Sequence, residues 1–240
     1  MIYIIGDTHG DLRHFSKPTM VQAKEPKWTE KDTLIICGDF GFIWAYPEDE
    51  EEYRKDQERL DTLAKKPYKI LFVDGNHENF EMLYSYPLEE GFGGTVRRIR
   101  DNIFHLQRGQ VYTIGGHTFF TFGGAATLDA WRRQRGVSWW PELEMPTAEE
   151  MEAGRQALER VDHQVDYIVT HTAPKVVVKM MRFPPAPEEG QLTEYFNEIW
   201  KTTAFEMWYF GHFHVDWARP VGGCAVPLMD DVIAIPEKKA

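Results

Sequence analysis

Five short apolar segments of this 240-residue chain each run into an aspartate, asparagine or histidine. In the most informative of them, residues 70–73 are followed through a glycine turn by Asn76 and His77. Uninterrupted apolar runs of this length are typical of buried parallel strands. Ligands of open α/β sheets bind beyond the carboxyl ends of such strands. The sequence therefore predicts a functional site at one edge of a parallel sheet.

The other four segments bring further polar side chains to the same predicted edge. They are residues 2–5, 33–37, 166–170 and 205–210. Together the five strand ends present Asp7, His9, Asp39, Asn76, His77, His171, His212 and His214. Because side chains alternate along an extended segment, His212 and His214 are predicted to lie on the same side. The other histidines are predicted to be ordinary residues without partners: His14, His105, His117 and His163.

Length, composition and charge fit a single domain that spans residues 1–240, since no Gly/Ser-rich or Pro-rich linker divides the chain. No apolar run approaches membrane-spanning length and no secretory signal is found, so a cytoplasmic location is expected.

The net charge of −11 disfavours a long nucleic acid as substrate, because nonspecific binding of nucleic acid depends on lysine and arginine. Bound divalent cations would offset part of that charge.

Helices are predicted from amphipathic spacing and from capping residues. The predicted helices cover residues 11–15, 47–66, 80–86, 147–161 and 192–201. The fourth begins with a capping box, in which Thr147 and Glu150 satisfy each other's backbone N–H groups.

From residue 102 the predicted pattern changes from alternating strands and helices to antiparallel strands. Residues 102–106, 110–114 and 117–122 predict an antiparallel meander, and therefore a second sheet packed on the first. Residues 224–228 and 231–235 predict a final hairpin. Residues 16–32 and 91–94 are predicted to be loops.

The side chains at the strand ends indicate a metal site. Any one of these histidines alone is more often structural than a ligand, so the prediction depends on the group. Carboxylates and imidazoles without thiolates suit Mn, Fe, Co, Ni or Zn better than a structural zinc cage. Seven candidate ligands are too many for one tetrahedral ion but fit two ions that share a carboxylate. Two ions about 3.5–4 Å apart hold both the attacking and the leaving oxygen of a phosphoryl displacement.

In order and spacing, five blocks of the chain resemble the signature blocks of the calcineurin-like metallophosphoesterases. The blocks extend to residue 214 and are Gly6-Asp7-Thr8-His9-Gly10, Gly38-Asp39, Gly75-Asn76-His77-Glu78, His171 and Gly211-His212-Phe213-His214. Five blocks in order are far more specific than any one of them. The resemblance implies an α/β fold of the four-layer type, with a βαββαβ core of two packed mixed β-sheets flanked by helices.

The resemblance also implies a role for each matching residue. A first divalent transition-metal ion would be held by Asp7, His9 and His214. A second would be held by Asn76, His171 and His212, with Asp39 bridging the two ions. His77 would be the catalytic histidine near the leaving group. The implied activity is hydrolysis of phosphomonoesters or phosphodiesters by a metal-bound hydroxide, with manganese as the expected activator.

Sequence differences from the serine/threonine protein phosphatases narrow the expected class of substrate. Those enzymes carry Asp-Arg-Gly after the bridging aspartate and an arginine before Gly-Asn-His-Glu. Here the corresponding residues are Phe42-Ile43-Trp44 and Asp74. A small phosphorylated or nucleotide-like substrate is therefore expected rather than a phosphoprotein. The motif formed by His212 and His214 resembles the corresponding motif of a broader branch of the family. That branch includes cyclic-nucleotide phosphodiesterases, nucleases and small-molecule phosphatases.

Two classes of function stay open on the sequence alone. The chain is either a hydrolase or a catalytically silent interaction scaffold on the same fold. Scaffolds usually lose metal ligands or the histidine that follows the asparagine, and here all are present. The enzyme is therefore favoured, with a nuclease or a phosphoprotein phosphatase as narrower alternatives.

Residues 128–146 lack a core pattern and are predicted to be a cap insertion that contacts substrate. The candidate substrate-binding residues in this segment are Arg132, Arg133, Arg135, Trp139 and Trp140. A guanidinium group can donate two parallel hydrogen bonds to the oxygens of a phosphate. Indole rings can stack on a base or an aromatic leaving group. The alternative is that the tryptophans pack on the neighbouring sheet while the arginines face water.

Overall fold

A computed structural model describes residues 1–16, 23–24, 27–184 and 186–238. Its strands are β1 (Ile2–Ile5), β2 (Thr33–Ile36), β3 (Lys69–Phe72), β4 (Leu88–Gly91), β5 (Gly94–Arg100), β6 (Ile103–Leu106), β7 (Gln110–Ile114), β8 (His117–Phe122), β9 (Tyr167–Thr170), β10 (Met207–Phe210), β11 (Ala225–Pro227) and β12 (Ile233–Ile235). They form two mixed sheets. The first has the order β12-β1-β2-β3-β6-β5-β4, and the second has the order β11-β10-β9-β8-β7.

The α-helices are α1 (Glu50–Ala64), α2 (Phe80–Ser85), α3 (Pro141–Glu144), α4 (Ala148–Glu159), α5 (Lys175–Met181) and α6 (Gly190–Thr202). A 3-10 turn at Leu12–Ser16 stands where the first helix was predicted. The capping box of α4 is confirmed, because Thr147 accepts from the N–H of Glu150 and the Glu150 carboxylate accepts from the N–H of Thr147. No helix among the described residues is both long and apolar enough to cross a membrane.

The apolar core lies in three layers. The cluster between the two sheets includes Ile4, Leu71 and Val169, all fully buried. A second cluster packs the first sheet against α1, and a third packs the second sheet against α4, α5 and α6. The expected arrangement of two packed mixed sheets between helices is confirmed.

Parallel register brings the site loops to one edge. Ile5 of β1 pairs with Ile36 of β2, which in turn pairs with Phe72 of β3. These three strands therefore end side by side, and the loops that follow them begin at the same level. In the second sheet β9 and β10 are parallel neighbours in the same way.

Two topology predictions were wrong. The predicted meander is divided between the sheets, because β6 pairs in parallel with β3 whereas β7 and β8 form a hairpin in the second sheet. The predicted final hairpin does not form, because β11 pairs with β10 and β12 pairs with β1. Local spacing showed the strands but not which sheet each would join.

One loop prediction was also wrong. Within residues 91–94, only Phe92 and Gly93 form the turn, and the flanking residues belong to the antiparallel pair β4 and β5. The charged and small residues of this pair hid its strand pattern. Of the predicted loop at residues 16–32, residues 17–22 and 25–26 lie outside the described residues.

Candidate metal centre

The backbone of the strand-end loops is held in unusual conformations. His9, Asp39, His212 and His214 all have positive φ angles, of 48°, 49°, 66° and 51°. Such conformations are uncommon for residues other than glycine, and they cluster at functional sites when the surrounding structure holds them. The prediction of an extended backbone at His212 and His214 was therefore wrong, and the two side chains reach different partners.

Glycines before the candidate ligands allow the loops to approach one another. A Cβ atom at Gly75 would lie 2.0 Å from Asp39 Oδ1, and one at Gly211 would lie 2.0 Å from Asp7 Oδ1. Neither position has room for a side chain. Both glycines are thus required for the carboxylates to occupy the centre of the site.

A first group of donor atoms surrounds Asp7. Its members are Asp7, His9, Asp39 and His214, and each offers one atom within 4.8 Å of the others. Asp7 Oδ2 lies 3.1 Å from His214 Nε2 and 3.7 Å from His9 Nε2. The two imidazole nitrogens are 3.1 Å apart. This geometry leaves four donors aimed at one small volume.

A second group of donor atoms surrounds Asn76. Asn76 Oδ1 lies 3.2 Å from His171 Nε2 and 3.1 Å from His212 Nδ1. His171 Nε2 is also 3.3 Å from Asp39 Oδ1, whereas Asp39 Oδ2 faces His9 Nδ1 at 3.7 Å. Asp39 is therefore shared by the two groups, one oxygen toward each.

Hydrogen bonds fix which imidazole nitrogen each histidine of the second group presents. His171 Nδ1 donates to the carbonyl of Cys37 at 2.7 Å, so Nε2 is the nitrogen that faces Asn76 and Asp39. His212 Nε2 faces Glu189 Oε1 at 3.0 Å, so Nδ1 is the nitrogen that faces Asn76. Partners of this kind hold metal-binding histidines in the required tautomer.

The charge balance of the site fits divalent cations. Asp7 and Asp39 are buried, and among the described residues their ionic partners are imidazoles and not lysine or arginine. Burial disfavours the imidazolium of His171, yet Asp39 and Asp7 raise its pKa to about 10. Protons thus compensate the carboxylates here, and metal ions replace protons on such ligands. The oxygen and nitrogen donors suit divalent transition metals.

His77 lies beside the ligands. Its backbone N–H donates to Asp39 Oδ1 at 2.8 Å, and its ring centroid is 5.3 Å from that of His9. Burial lowers the pKa of His77, the carboxylate of Asp39 opposes this shift, and the charge of Arg133 adds to it.

Two pockets meet at His77. One has a volume of about 570 Å³ and is lined by His9, Trp44, Tyr46 and several charged residues of α1. The other has a volume of about 490 Å³ and includes Asn76, His212 and His214 in its wall. Both volumes lie within the range of small-molecule sites.

Sequence reasoning missed the buried carboxylates that support the ligands. Glu144 accepts from the hydroxyl of Thr127 at 2.6 Å, and Thr127 Oγ1 accepts from the side chain of Asn76 at 3.4 Å. Glu189 holds His212 and also accepts from the N–H of Ala126. Neither glutamate lies in a recognisable motif, because both come from loops or short turns that are distant in sequence.

A further network was missed behind the loop that carries Asn76. Asp74 is fully buried and receives Arg108 Nη2 at 2.6 Å and His105 Nε2 at 3.0 Å. Arg108 also donates to Glu150 and to the carbonyl of Glu144. The prediction that His105 has no partner was therefore wrong, and that for His117 was also wrong, since its Nε2 donates to the carbonyl of Pro236 at 2.9 Å.

Residues 128–146 lie next to the site. Most of the residues predicted to bind substrate, however, make their contacts within this segment. Arg132 stacks over Trp131 at 4.4 Å, Arg133 pairs with Asp129 at 3.1 Å, and Arg135 pairs with Glu142. Trp139 donates to Glu144, and Trp140 is buried against Trp44. Leu128, Asp129 and Val137 of this segment line the pockets.

The sequence profile of calcineurin-like phosphoesterases matches residues 1–216. Comparison with curated proteins found no match. Among solved structures, the chain is similar to the crystal structure of a phosphopantetheinyl hydrolase from Mycobacterium tuberculosis, with 17% identity and a TM-score of 0.44 over 95% of this chain and 89% of that chain. The family match covers more than half of the chain and all seven candidate ligands, and the chain therefore belongs to the calcineurin-like phosphoesterases.

Proposed function

We propose that this chain is a metal-dependent hydrolase that cleaves a small phosphomonoester or phosphodiester at a dinuclear metal centre. The observation that carries the proposal is the convergence of seven donors into two groups that share Asp39. Asp7, His9 and His214 would hold one ion, and the other would be held by Asn76, His171 and His212. Manganese is the proposed activator, and Fe, Zn, Ni or Co suit the same donors.

Two divalent ions held by these residues would lower the pKa of water and neutralise charge on the phosphoryl oxygens. The chain's own residues would supply the rest. The oxygen of water would bond to phosphorus as the bond from phosphorus to the departing oxygen breaks, and the proton that the water loses would end on the departing oxygen. His77 borders both pockets, so its imidazole stabilises or protonates the departing oxygen.

Residues 128–146 would act as a cap beside this centre. Arg133 is the best placed of the predicted phosphate-binding residues, because its charge acts on His77 and its partner Asp129 lines the second pocket. Arg132, Arg135 and Trp139 would act less directly, since their contacts lie within the segment. Trp140 would do so too, since it is buried against Trp44. Both pockets have the size of a small organic ligand, which favours a small substrate over a phosphoprotein.

The proposal is tested by turnover of a substrate panel. Manganese-loaded protein is assayed with 4-nitrophenyl phosphate, its bis ester, and 2′,3′- and 3′,5′-cyclic nucleotides. Hydrolysis of at least one, lost on removal of the metal, is expected. An inert protein that still binds two ions per chain would favour the scaffold, and turnover confined to a phosphorylated peptide would contradict the proposed substrate class.

A further inference from the structure

The pocket of about 490 Å³ joins a polar end to a nonpolar wall. The polar end consists of the proposed ligands Asp39, Asn76, His212 and His214, together with His77. A substituent on a phosphate bound at these residues therefore has direct access to the pocket.

The wall of this pocket is built from nonpolar side chains on four separate elements. They are Leu128, Val178 of α5, Phe183, Pro184 and Phe213. The rings of Phe183 and Phe213 contact each other at 4.9 Å between centroids. Leu128 is 61% exposed, and Val178 and both phenylalanines are half-buried. A nonpolar surface stays in water next to the metal ligands, and covering it is favourable.

Most charged residues of the pocket have ionic partners and do not favour an ionic group against this wall. Lys175 pairs with Glu194, Asp129 pairs with Arg133, and Glu189 is engaged by His212. Lys179 also lines the pocket and is exposed. The pocket on the other side of His77 differs, because its lining includes Asp49, Glu52, Asp56 and Arg59. The two sides of the proposed centre thus offer different chemistry.

We propose that the substrate carries a nonpolar organic group, esterified to the phosphate, that occupies the pocket lined by Leu128, Val178, Phe183, Pro184 and Phe213. This inference rests on the proposed function and names the substrate class of the same site. The phosphate binds at the metal ligands, and the nonpolar group lies along α5 and covers the exposed wall. Substrates with longer nonpolar groups bind more tightly until the pocket is filled.

The test uses linear alkylphosphonates from methyl to hexyl, which carry one substituent and are not hydrolysed. Binding to manganese-loaded protein is measured by calorimetry. Burial of methylene groups should raise the affinity about threefold for each carbon added. Val178→Asp should abolish this increase, and so should Leu128→Asp, whose exposed side chain can change without loss of packing. Met180→Asp is the matched control, because Met180 is half exposed on the same helix and lies outside the pocket.

Affinity that does not depend on chain length in the wild type, or no binding at all, would overturn the inference. An unchanged increase in both Val178→Asp and Leu128→Asp would do so too. Because binding is measured without turnover, the outcome is separate from that of the substrate panel. A chain-length effect in a protein that hydrolyses nothing would support the pocket and contradict the proposed function.

Discussion

His77 is the residue that separates a catalyst from a metal-binding scaffold. It lies beside Asp39 without being part of either donor group. His77→Ala should lower turnover by about 10²–10⁴-fold, because the departing oxygen loses its proton donor. Metal content should stay at the wild-type level, as measured by elemental analysis of the purified variant. If this variant loses both ions, His77 is a ligand or a structural residue and not an acid.

Arg133 is the residue expected to bind the substrate phosphate. Arg133→Ala should raise KM by about tenfold or more, as expected when a hydrogen bond to a charged group is lost. Arg135→Ala is the matched control, since Arg135 is exposed in the same segment and its partner Glu142 lines neither pocket. Steady-state kinetics on the best substrate of the panel provides both values. Equal KM values in the two variants and the wild type would contradict the role of this segment as a cap.

At this scale the sequence identified the candidate ligands but not the residues that support them. Asp7, Asp39 and His171 could be found because each follows an apolar strand directly. Glu144 and Glu189 could not be found, because a buried carboxylate in a short turn has no periodic pattern. The tertiary contacts that make them important join residues far apart in the chain.

The turn that precedes α6 positions a ligand of the second donor group. Glu189 is 3% exposed, and its carboxylate accepts hydrogen bonds from His212 Nε2, the amide of Ala126 and the hydroxyl of Thr172. Glu189→Ala should weaken metal binding by about 10–100-fold, as expected for the loss of a residue that orients a ligand. The neighbouring Glu188 is exposed, and Glu188→Ala should leave affinity unchanged. Competition with a metal chelator measures both, and equal affinities would show that His212 needs no support.

A buried ion pair joins the ends of two strands that belong to different sheets. Arg108 precedes β7, and its guanidinium meets Asp74 at the end of β3. Arg108→Met should lower the free energy of unfolding by about 3–5 kcal/mol, because the buried charge of Asp74 loses its arginine partner and keeps only the imidazole of His105. Arg54→Ala, which removes an exposed pair with Glu58, should leave it nearly unchanged. Denaturant unfolding compares the two, and equal stability would mean that Asp74 is compensated in another way.

Element positions could be predicted where local pattern decides them. The capping box located α4, and the buried runs located β1, β2 and β3. The pairing of β11 and β12 could not be predicted, because two short strands beside a turn normally form a hairpin. Here each finds a longer parallel or antiparallel partner in a different sheet.

At the scale of the whole molecule, the two sheets present their strand ends at one edge, where the two donor groups share a single carboxylate. The first sheet supplies Asp7, Asp39 and Asn76, and the second supplies His171 and His212. Metal ions would therefore join the two sheets, and binding to the folded state alone stabilises it.

The number of ions bound per chain is the sharpest test of the dinuclear centre. Metal-stripped protein is titrated with Mn²⁺ while bound metal and turnover are measured together, with Asp39→Asn beside the wild type. We expect saturation at two ions per chain, turnover that rises with the second ion, and a loss of both in Asp39→Asn. Saturation at one ion, with Asp39→Asn unaffected, would contradict the dinuclear centre.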